Sequence, residues 1–152
     1  MRRQNYSKQL FLFAISGWLL ACQPVLSQVR LPRLVRDSMV LQRDASINIW
    51  GWAAKQEKVT VQFNNKKFKT TTGEDGKWAV KIAAMKAGGP YTMNIIASNK
   101  ITLKEILIGD AWICAGQSNM VHQMELHKER YADEIANANY PEIRHFFITQ
   151  WR

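Results

Sequence analysis

The pentapeptide at residues 116–120, Gly-Gln-Ser-Asn-Met, holds the residue best suited to do chemistry in this chain, Ser118. It follows residues 111–115, an apolar segment that we expect to form a strand. A serine hydroxyl becomes a useful nucleophile when a sharp turn after a strand pins it, exposes it and places it beside a base. We therefore predict that Ser118 is a catalytic nucleophile. The alternative role for a serine at this position is to cap a following helix.

Gly116 is expected to permit the turn that presents Ser118. A glycine has no Cβ, so the backbone can bend tightly at this position without a steric clash. The pattern differs from the Gly-x-Ser-x-Gly elbow of the α/β-hydrolases, because Met120 occupies the place of the second glycine. An ordinary α/β-hydrolase is therefore disfavoured.

A serine nucleophile also needs a base that a carboxylate orients, and the chain has three histidines as candidates. His122 and His127 are five residues apart, a spacing that does not place both on one face of a helix for metal binding. His145 falls in a predicted strand, where packing or pairing is expected. We predict no local catalytic triad, no metal site and no cofactor.

The residues before this segment alternate between apolar and polar, which is typical of half-buried strands. Two examples are the apolar series Val59, Val61, Phe63 and the series Trp78, Val80, Ile82. Turn-forming residues at 64–65, 73–76 and 88–90 separate the runs. The pattern predicts an all-β sandwich of five or six antiparallel strands over residues 28–104.

Three tryptophans, Trp50, Trp52 and Trp78, occupy predicted strands of this sandwich. Tryptophans on alternating strands are most often part of the core, and we expect that here. The alternative is a platform on which a sugar ring stacks.

The remaining residues, 105–152, predict the start of an α/β domain. Residues 106–115 are nearly continuously apolar, as in a parallel strand that is buried on both faces. Helix-forming residues follow at 131–138, and residues 143–148 are predicted to form a second strand. Strand, turn, helix and strand make one βαβ unit. Ligands bind at the carboxyl ends of such strands, where Ser118 is placed.

The N-terminus has the features of a signal peptide over residues 1–27. Arg2, Arg3 and Lys8 precede an apolar run at residues 10–21 that is too short to span a bilayer comfortably. We favour cleavage after Ser27, and a lipoprotein box ending at Cys22 is the alternative. Both predict an exported protein, periplasmic or secreted, with a lipid anchor in the second case and no stable membrane span after cleavage.

Charge and cysteine content exclude several classes of protein. Eighteen basic and twelve acidic residues follow residue 27, a formal charge of +6. Lys66, Lys67 and Lys69 lack the aromatic neighbours that nucleic-acid binding favours, so we expect a solvated strand face and no nucleic-acid partner. Cys114 is the lone cysteine after residue 27, so no disulfide is expected, and its apolar surroundings predict burial.

Several motifs resemble those of one enzyme family. Residues 109–112, Gly-Asp-Ala-Trp, followed by residues 116–120, resemble the start of the catalytic domain of the sialate O-acetylesterase family, whose hydrolase fold is of the SGNH, flavodoxin-like α/β type. Four further stretches resemble the β-domain that precedes this esterase domain in bacterial members: residues 38–43, 49–53, 75–78 and 87–91. Together they extend the resemblance over residues 31–148.

This resemblance implies a function for the site. Ser118 would attack the acetyl carbonyl of an O-acetylated sialic acid or another acetylated glycan, and its backbone N–H would donate to the developing oxyanion. Gly116, Gln117 and Asn119 would support the oxyanion site and the turn.

The family takes its base and orienting carboxylate from an Asp-x-x-His motif, and this chain has none. Residues 105–152 are thus expected to be a truncated start of the esterase domain, and the 152-residue chain alone to be inactive. The alternatives are an acetylxylan-type esterase and an inactive β-sandwich glycan-binding module.

Overall fold

The computed structural model describes residues 28–148, so the predicted signal peptide, with Cys22, lies outside the described residues. These residues form mostly β-strand and little helix, which confirms the all-β prediction for the first part of the chain. The strands are β1 (Val40–Gln42), β2 (Ile47–Trp52), β3 (Lys58–Phe63), β4 (Lys66–Thr71), β5 (Lys77–Ile82), β6 (Gly88–Ile96) and β7 (Lys100–Gly109). Two 3₁₀ helices, Ser118–Val121 and Met124–His127, and one α-helix, α1 (Ala132–Asn137), follow. Within residues 28–148, no helix has the length and apolar character needed to cross a bilayer.

The seven strands form two sheets. Five strands pair in the order β1-β7-β6-β3-β4, and β2 pairs with β5 in a separate two-stranded sheet. All pairs are antiparallel except β1 with β7, which run parallel. An isolated antiparallel bridge between Arg30 and Trp52 extends the free edge of β2.

One apolar core lies between the two sheets. On β3, Val59, Val61 and Phe63 are buried while the residues between them are half-buried, and the alternation on β5 is equally regular. Removing these side chains from water is the main force that holds the sheets together. The completely buried apolar side chains come from both sheets: Ile49, Val59, Val61, Met93, Ile95 and Ile106. We call residues 28–109 the β-domain.

The predicted turns are only partly found. Asn64 and Asn65 both have positive φ, 46° and 59°, and join β3 to β4 in a tight hairpin, as predicted. The turn predicted at residues 88–90 is wrong, because these residues open β6. The register of β6 against β7 shifts there. Gly89 passes so close to β7 that an added Cβ would lie 2.8 Å from the Ile106 carbonyl oxygen.

The strand predicted at residues 106–115 is also different in the structure. Ile106 and Ile108 are buried, but they belong to β7, which ends at Gly109. Residues 111–115 are exposed and form no strand. The predicted boundary after residue 104 thus falls inside β7, and the sheet continues five residues further. A strand requires backbone hydrogen bonds to a neighbouring strand. Within residues 28–148, no strand pairs with residues 111–115.

The second half of the predicted βαβ unit is confirmed only for its helix. α1 lies within the predicted helical residues 131–138. The prediction of a strand at residues 143–148 is wrong, because the described part of this segment has no regular secondary structure and is mostly exposed. His145, expected to be packed or paired in that strand, is exposed.

Candidate active site

The end of β7 determines where the chain leaves the β-domain toward Ser118. The Arg43 N–H donates to the Gly109 carbonyl at 2.8 Å, and the Ala111 N–H donates to Gln42 Oε1 at 2.9 Å. Between these bonds, Arg43 Nε lies 2.9 Å from Asp110 Oδ1. The hydrogen bond and charge of Asp110 raise the pKa of the Arg43 guanidinium further, so Arg43 stays positively charged at all ordinary pH values. Residues 109–111 are therefore held beside β1.

Ser118 begins the first 3₁₀ helix and is exposed. The Met120 N–H donates to the Gln117 carbonyl at 3.0 Å, which closes the turn around Ser118 and Asn119. At Gly116, an added Cβ would lie 2.9 Å from Met120 Cγ. The glycine thus makes room for Met120, whereas the sequence suggested that it makes room for Ser118. The four residues predicted to form the site, Gly116 to Asn119, occupy one turn, in which Gly116, Gln117 and Ser118 are exposed.

Two of the candidate bases come together in a way that their spacing did not predict. The Nε2 atoms of His122 and His127 lie 2.9 Å apart, and their rings stack with centroids 4.7 Å apart. His122 lies outside any helix, Gln123 is extended, and His127 ends the second 3₁₀ helix, Met124–His127, whereas the spacing argument assumed a regular α-helix. With Gln123, Met124 and Tyr131 they line an open cavity of about 340 Å³.

This histidine pair does not complete a catalytic site. Within residues 28–148, no hydrogen bond joins Ser118 to His122, His127 or His145. In the same residues, no three His, Cys, Asp or Glu side chains are grouped so that they could hold a metal ion. The described part of the chain therefore presents a nucleophile candidate without its base.

Apolar side chains are exposed on both sides of Ser118. Trp112 and Ile113 are 86% and 96% exposed. Cys114, predicted to be buried, is exposed because the strand that would bury it does not form.

Further along the chain, Arg144 contacts the β-domain, where its Nη1 donates to the carbonyls of Ser38 and Glu105 at 3.4 Å each.

The tryptophans of the β-domain divide between the two predicted roles. Trp78 is 3% exposed and belongs to the core, as expected. Trp50 points to the outer face of the two-stranded sheet and is 40% exposed. Its ring meets that of Trp52 edge to face, with centroids 5.2 Å apart. Trp50 and Trp52 therefore lie at the surface of the β-domain. The alternation along β2 predicts this once it is known which face of the strand packs on the core.

Comparison with known proteins places these features in context. No family model matches the chain. A sialate O-acetylesterase from Rattus norvegicus is 33% identical over 103 residues, which cover 60% of this chain and 19% of the rat protein. A sialate O-acetylesterase from Mus musculus is 30% identical over 135 residues, which cover 79% of this chain and 24% of the mouse protein. The resemblance to the sialate O-acetylesterase family is confirmed.

A solved structure agrees with these sialate O-acetylesterase relatives. The crystal structure of a carbohydrate acetylesterase from Xanthomonas citri matches with a TM-score of 0.59 and 33% sequence identity, over 60% of this chain and 22% of that one. The chain spans about a fifth to a quarter of the length of the sialate O-acetylesterases that it matches. Most of each relative therefore has no counterpart in these 152 residues.

Proposed function

We propose that this chain supplies the β-domain and the nucleophile of a carbohydrate O-acetylesterase that removes O-acetyl groups from sialic acids. The observation that carries the proposal is the turn at residues 116–120, in which an exposed Ser118 begins the first 3₁₀ helix. The similarity to sialate O-acetylesterases and to a bacterial carbohydrate acetylesterase supports it.

The proposed reaction is a two-step acyl transfer. Ser118 Oγ attacks the acetyl carbonyl carbon while a base takes its proton, and the backbone N–H of Ser118 donates to the oxyanion that forms. The sugar oxygen then leaves with a proton, and water hydrolyses the acetyl-serine to acetate. Gly116, Gln117 and Asn119 support the turn that presents the serine. No cofactor takes part.

The base and its carboxylate are the missing parts of this mechanism. The sequence has no Asp-x-x-His motif, and the His122–His127 pair makes no hydrogen bond to Ser118 within the described residues. We infer that both groups lie on further α/β elements of an SGNH-type domain that begins after β7, near residue 110. The 152-residue chain by itself is then inactive.

Two alternatives keep part of this assignment. The Xanthomonas citri neighbour is described as a carbohydrate acetylesterase without a named glycan, so an acetylxylan-type esterase fits the same chemistry. The exposed Trp50 favours the second alternative, an inactive β-sandwich module that binds glycans.

We also propose that the protein is exported, to the periplasm or the medium, through the signal at residues 1–27. Cys22 is the lipid attachment point if the lipoprotein box is used.

The test is to remove the proposed nucleophile in the protein expressed from its complete reading frame. We expect Ser118→Ala to lower kcat on O-acetylated sialic acid by on the order of 10⁴-fold or more, because the acetyl-enzyme can no longer form. Ser46→Ala, which removes an exposed hydroxyl just before β2, is the matched control and keeps full activity. Circular dichroism checks that both variants fold. Wild-type rates in the Ser118 variant would contradict the assignment.

A further inference from the structure

The outer face of the two-stranded sheet carries an exposed aromatic cluster that the proposed reaction does not use. Its residues alternate with the core residues of the same strands and point away from them. We call this surface the tryptophan face: Asn48, Trp50 and Trp52 on β2, with Lys77, Ala79 and Lys81 on β5. Asn48, Trp50 and all three β5 residues are exposed, and Trp52 is half-buried.

The pairing of the two strands leaves the Trp50 ring open. Trp50 lies opposite Ala79, whose methyl group is too small to cover an indole. Trp52 meets Trp50 edge to face at an interplanar angle of 74°, which restrains Trp50, and Trp50 remains 40% exposed. A rigid, half-exposed indole with a small residue beside it is a surface on which the C–H face of a sugar ring can pack.

Cations surround these two rings. Trp52 has Lys77 directly opposite on β5 and Arg30 opposite on its other side, through the Arg30–Trp52 bridge. Directly opposite residues in antiparallel pairs share one face, so Arg30 and Lys77 flank Trp52. Lys81 lies diagonally from Trp50. None of the six positions of the tryptophan face is acidic. Lys77 has a carboxylate neighbour in Asp75, whose Oδ2 lies 3.6 Å from Lys77 Nζ.

We propose that the tryptophan face binds an anionic glycan, with a sugar ring on Trp50 and the carboxylate of the sugar held by Lys81, Lys77 or Arg30. The combination of aromatic and cationic groups selects a ligand that has both an apolar ring face and a negative charge, as a terminal sialic acid does. This second contact rests on the glycan class of the proposed function. It deepens that function, because it retains the polymer on which the esterase acts.

The experiment measures binding without turnover. The protein expressed from its complete reading frame, with Ser118→Ala to prevent hydrolysis, is titrated with 3′-sialyllactose and with neutral lactose, and binding is followed by calorimetry and saturation-transfer NMR. We expect 3′-sialyllactose to bind and lactose to bind much more weakly. Binding by this variant is measured without hydrolysis, and its loss on substitution of Trp50 assigns it to the tryptophan face. Hydrolysis by the wild type reports on the proposed function.

Variants then locate the site. Trp50→Ala is expected to weaken 3′-sialyllactose binding by roughly tenfold, whereas Trp50→Phe retains part of it. Tyr140→Ala is the matched aromatic control, because Tyr140 is 67% exposed and lies outside the β-domain. Thermal unfolding of each variant excludes a loss of fold as the cause.

The charge requirement has its own matched pair. Lys77→Gln with Lys81→Gln should reduce both the preference for 3′-sialyllactose over lactose and the salt dependence of binding, because Arg30 is then the one remaining cation of this set. Lys67→Gln with Lys69→Gln, which removes equal charge from exposed positions of β4, should leave both unchanged. Three results would overturn the proposal: equal affinity for both sugars, wild-type affinity in Trp50→Ala, or no binding because another part of the protein covers Trp50.

Discussion

Gly51 occupies the most crowded position on the inner side of β2. An added Cβ there would collide with the Arg30 carbonyl oxygen and would lie 2.9 Å from Cζ2 of Trp78. The first neighbour is backbone that the Arg30–Trp52 bridge holds in place, with N–O distances of 2.8 and 2.9 Å. The second is a buried indole. Neither can move without disturbing the edge of the sheet or the core.

We therefore expect Gly51→Ala to lower the free energy of unfolding by about 1–3 kcal/mol, as overpacked cores do. Urea denaturation followed by circular dichroism measures the change. Gly109→Ala is the control, because a Cβ at Gly109 would meet Val40 Cγ1 at an ordinary 3.5 Å. Equal stability of the two variants would show that the Arg30 segment yields easily.

For single residues, the sequence predicts backbone conformation better than it predicts burial and side-chain contacts. The pair Asn64-Asn65 indicates a turn with two positive φ angles by residue type alone, and the turn is present. Burial of Cys114 was inferred from apolar neighbours, and it is wrong because burial depends on what the rest of the fold brings to that segment. The contact between His122 and His127 needed knowledge of a 3₁₀ helix that no local signal provides.

Glu57 joins two connections of the β-domain. Its carboxylate accepts the Ala54 N–H at 2.9 Å and the Ser98 N–H at 2.7 Å, so the loop before β3 is tied to the turn between β6 and β7. Burial raises the pKa of Glu57, but the hydrogen bonds from Ser98 and Ala54 outweigh it and lower the pKa below the ordinary glutamate value. The ionised carboxylate therefore stabilises the fold.

Because the folded-state pKa is lowered, this stabilisation is present above about pH 4.5 and is lost as the pH falls through the lower folded value. We expect Glu57→Gln to reduce the free energy of unfolding by about 1 kcal/mol at pH 7, and the difference from wild type to shrink as the pH falls below about 4.5. Urea titrations across this pH range measure it. The exposed Glu129→Gln should show no such difference, and a Glu57 effect that did not depend on pH would contradict the ionic cause.

Alternation predicts a strand well where one of its faces packs on the core and the other does not. β3 and β5 follow their predicted inner residues for this reason. Residues 106–115 and 143–148 have the composition of strands, but composition cannot supply a neighbour. The first segment is divided at Gly109, where pairing with β1 and β6 ends, and the second has no strand beside it within the described residues.

The β-domain has its own core, and the residues after Asp110 contribute little to it. The completely buried apolar residues all lie between Ile49 and Ile106. The segment beyond meets the β-domain mainly through Ala111 and the Arg144 contacts at 3.4 Å. At the scale of the whole molecule, the β-domain is therefore expected to be an independent folding unit.

We predict that a shortened protein, residues 28–110, unfolds cooperatively at the same temperature as residues 28–152. Stopping at residue 104, the boundary that the sequence suggested, removes Ile106 and Ile108 from the core and leaves β1 unpaired. Each isoleucine contributes about 1.5–3 kcal/mol by burial, which is a large part of the total stability of a small domain. Calorimetry of the two proteins is the measurement. Loss of cooperative unfolding in residues 28–110 would show that the later segment is needed.

The position of β7 between β1 and β6 also determines the order in which the strands can pair during folding. A chain that emerges from its N-terminus first must hold β1 without a partner until β7 appears more than sixty residues later. The hairpin of β3 and β4 can form at once, but the five-stranded sheet cannot be completed until β7 is present. Contacts so distant along the chain slow folding and leave edges open to aggregation. Since β1 waits longest for its partner, it is the strand that most needs protection by a chaperone while the chain folds.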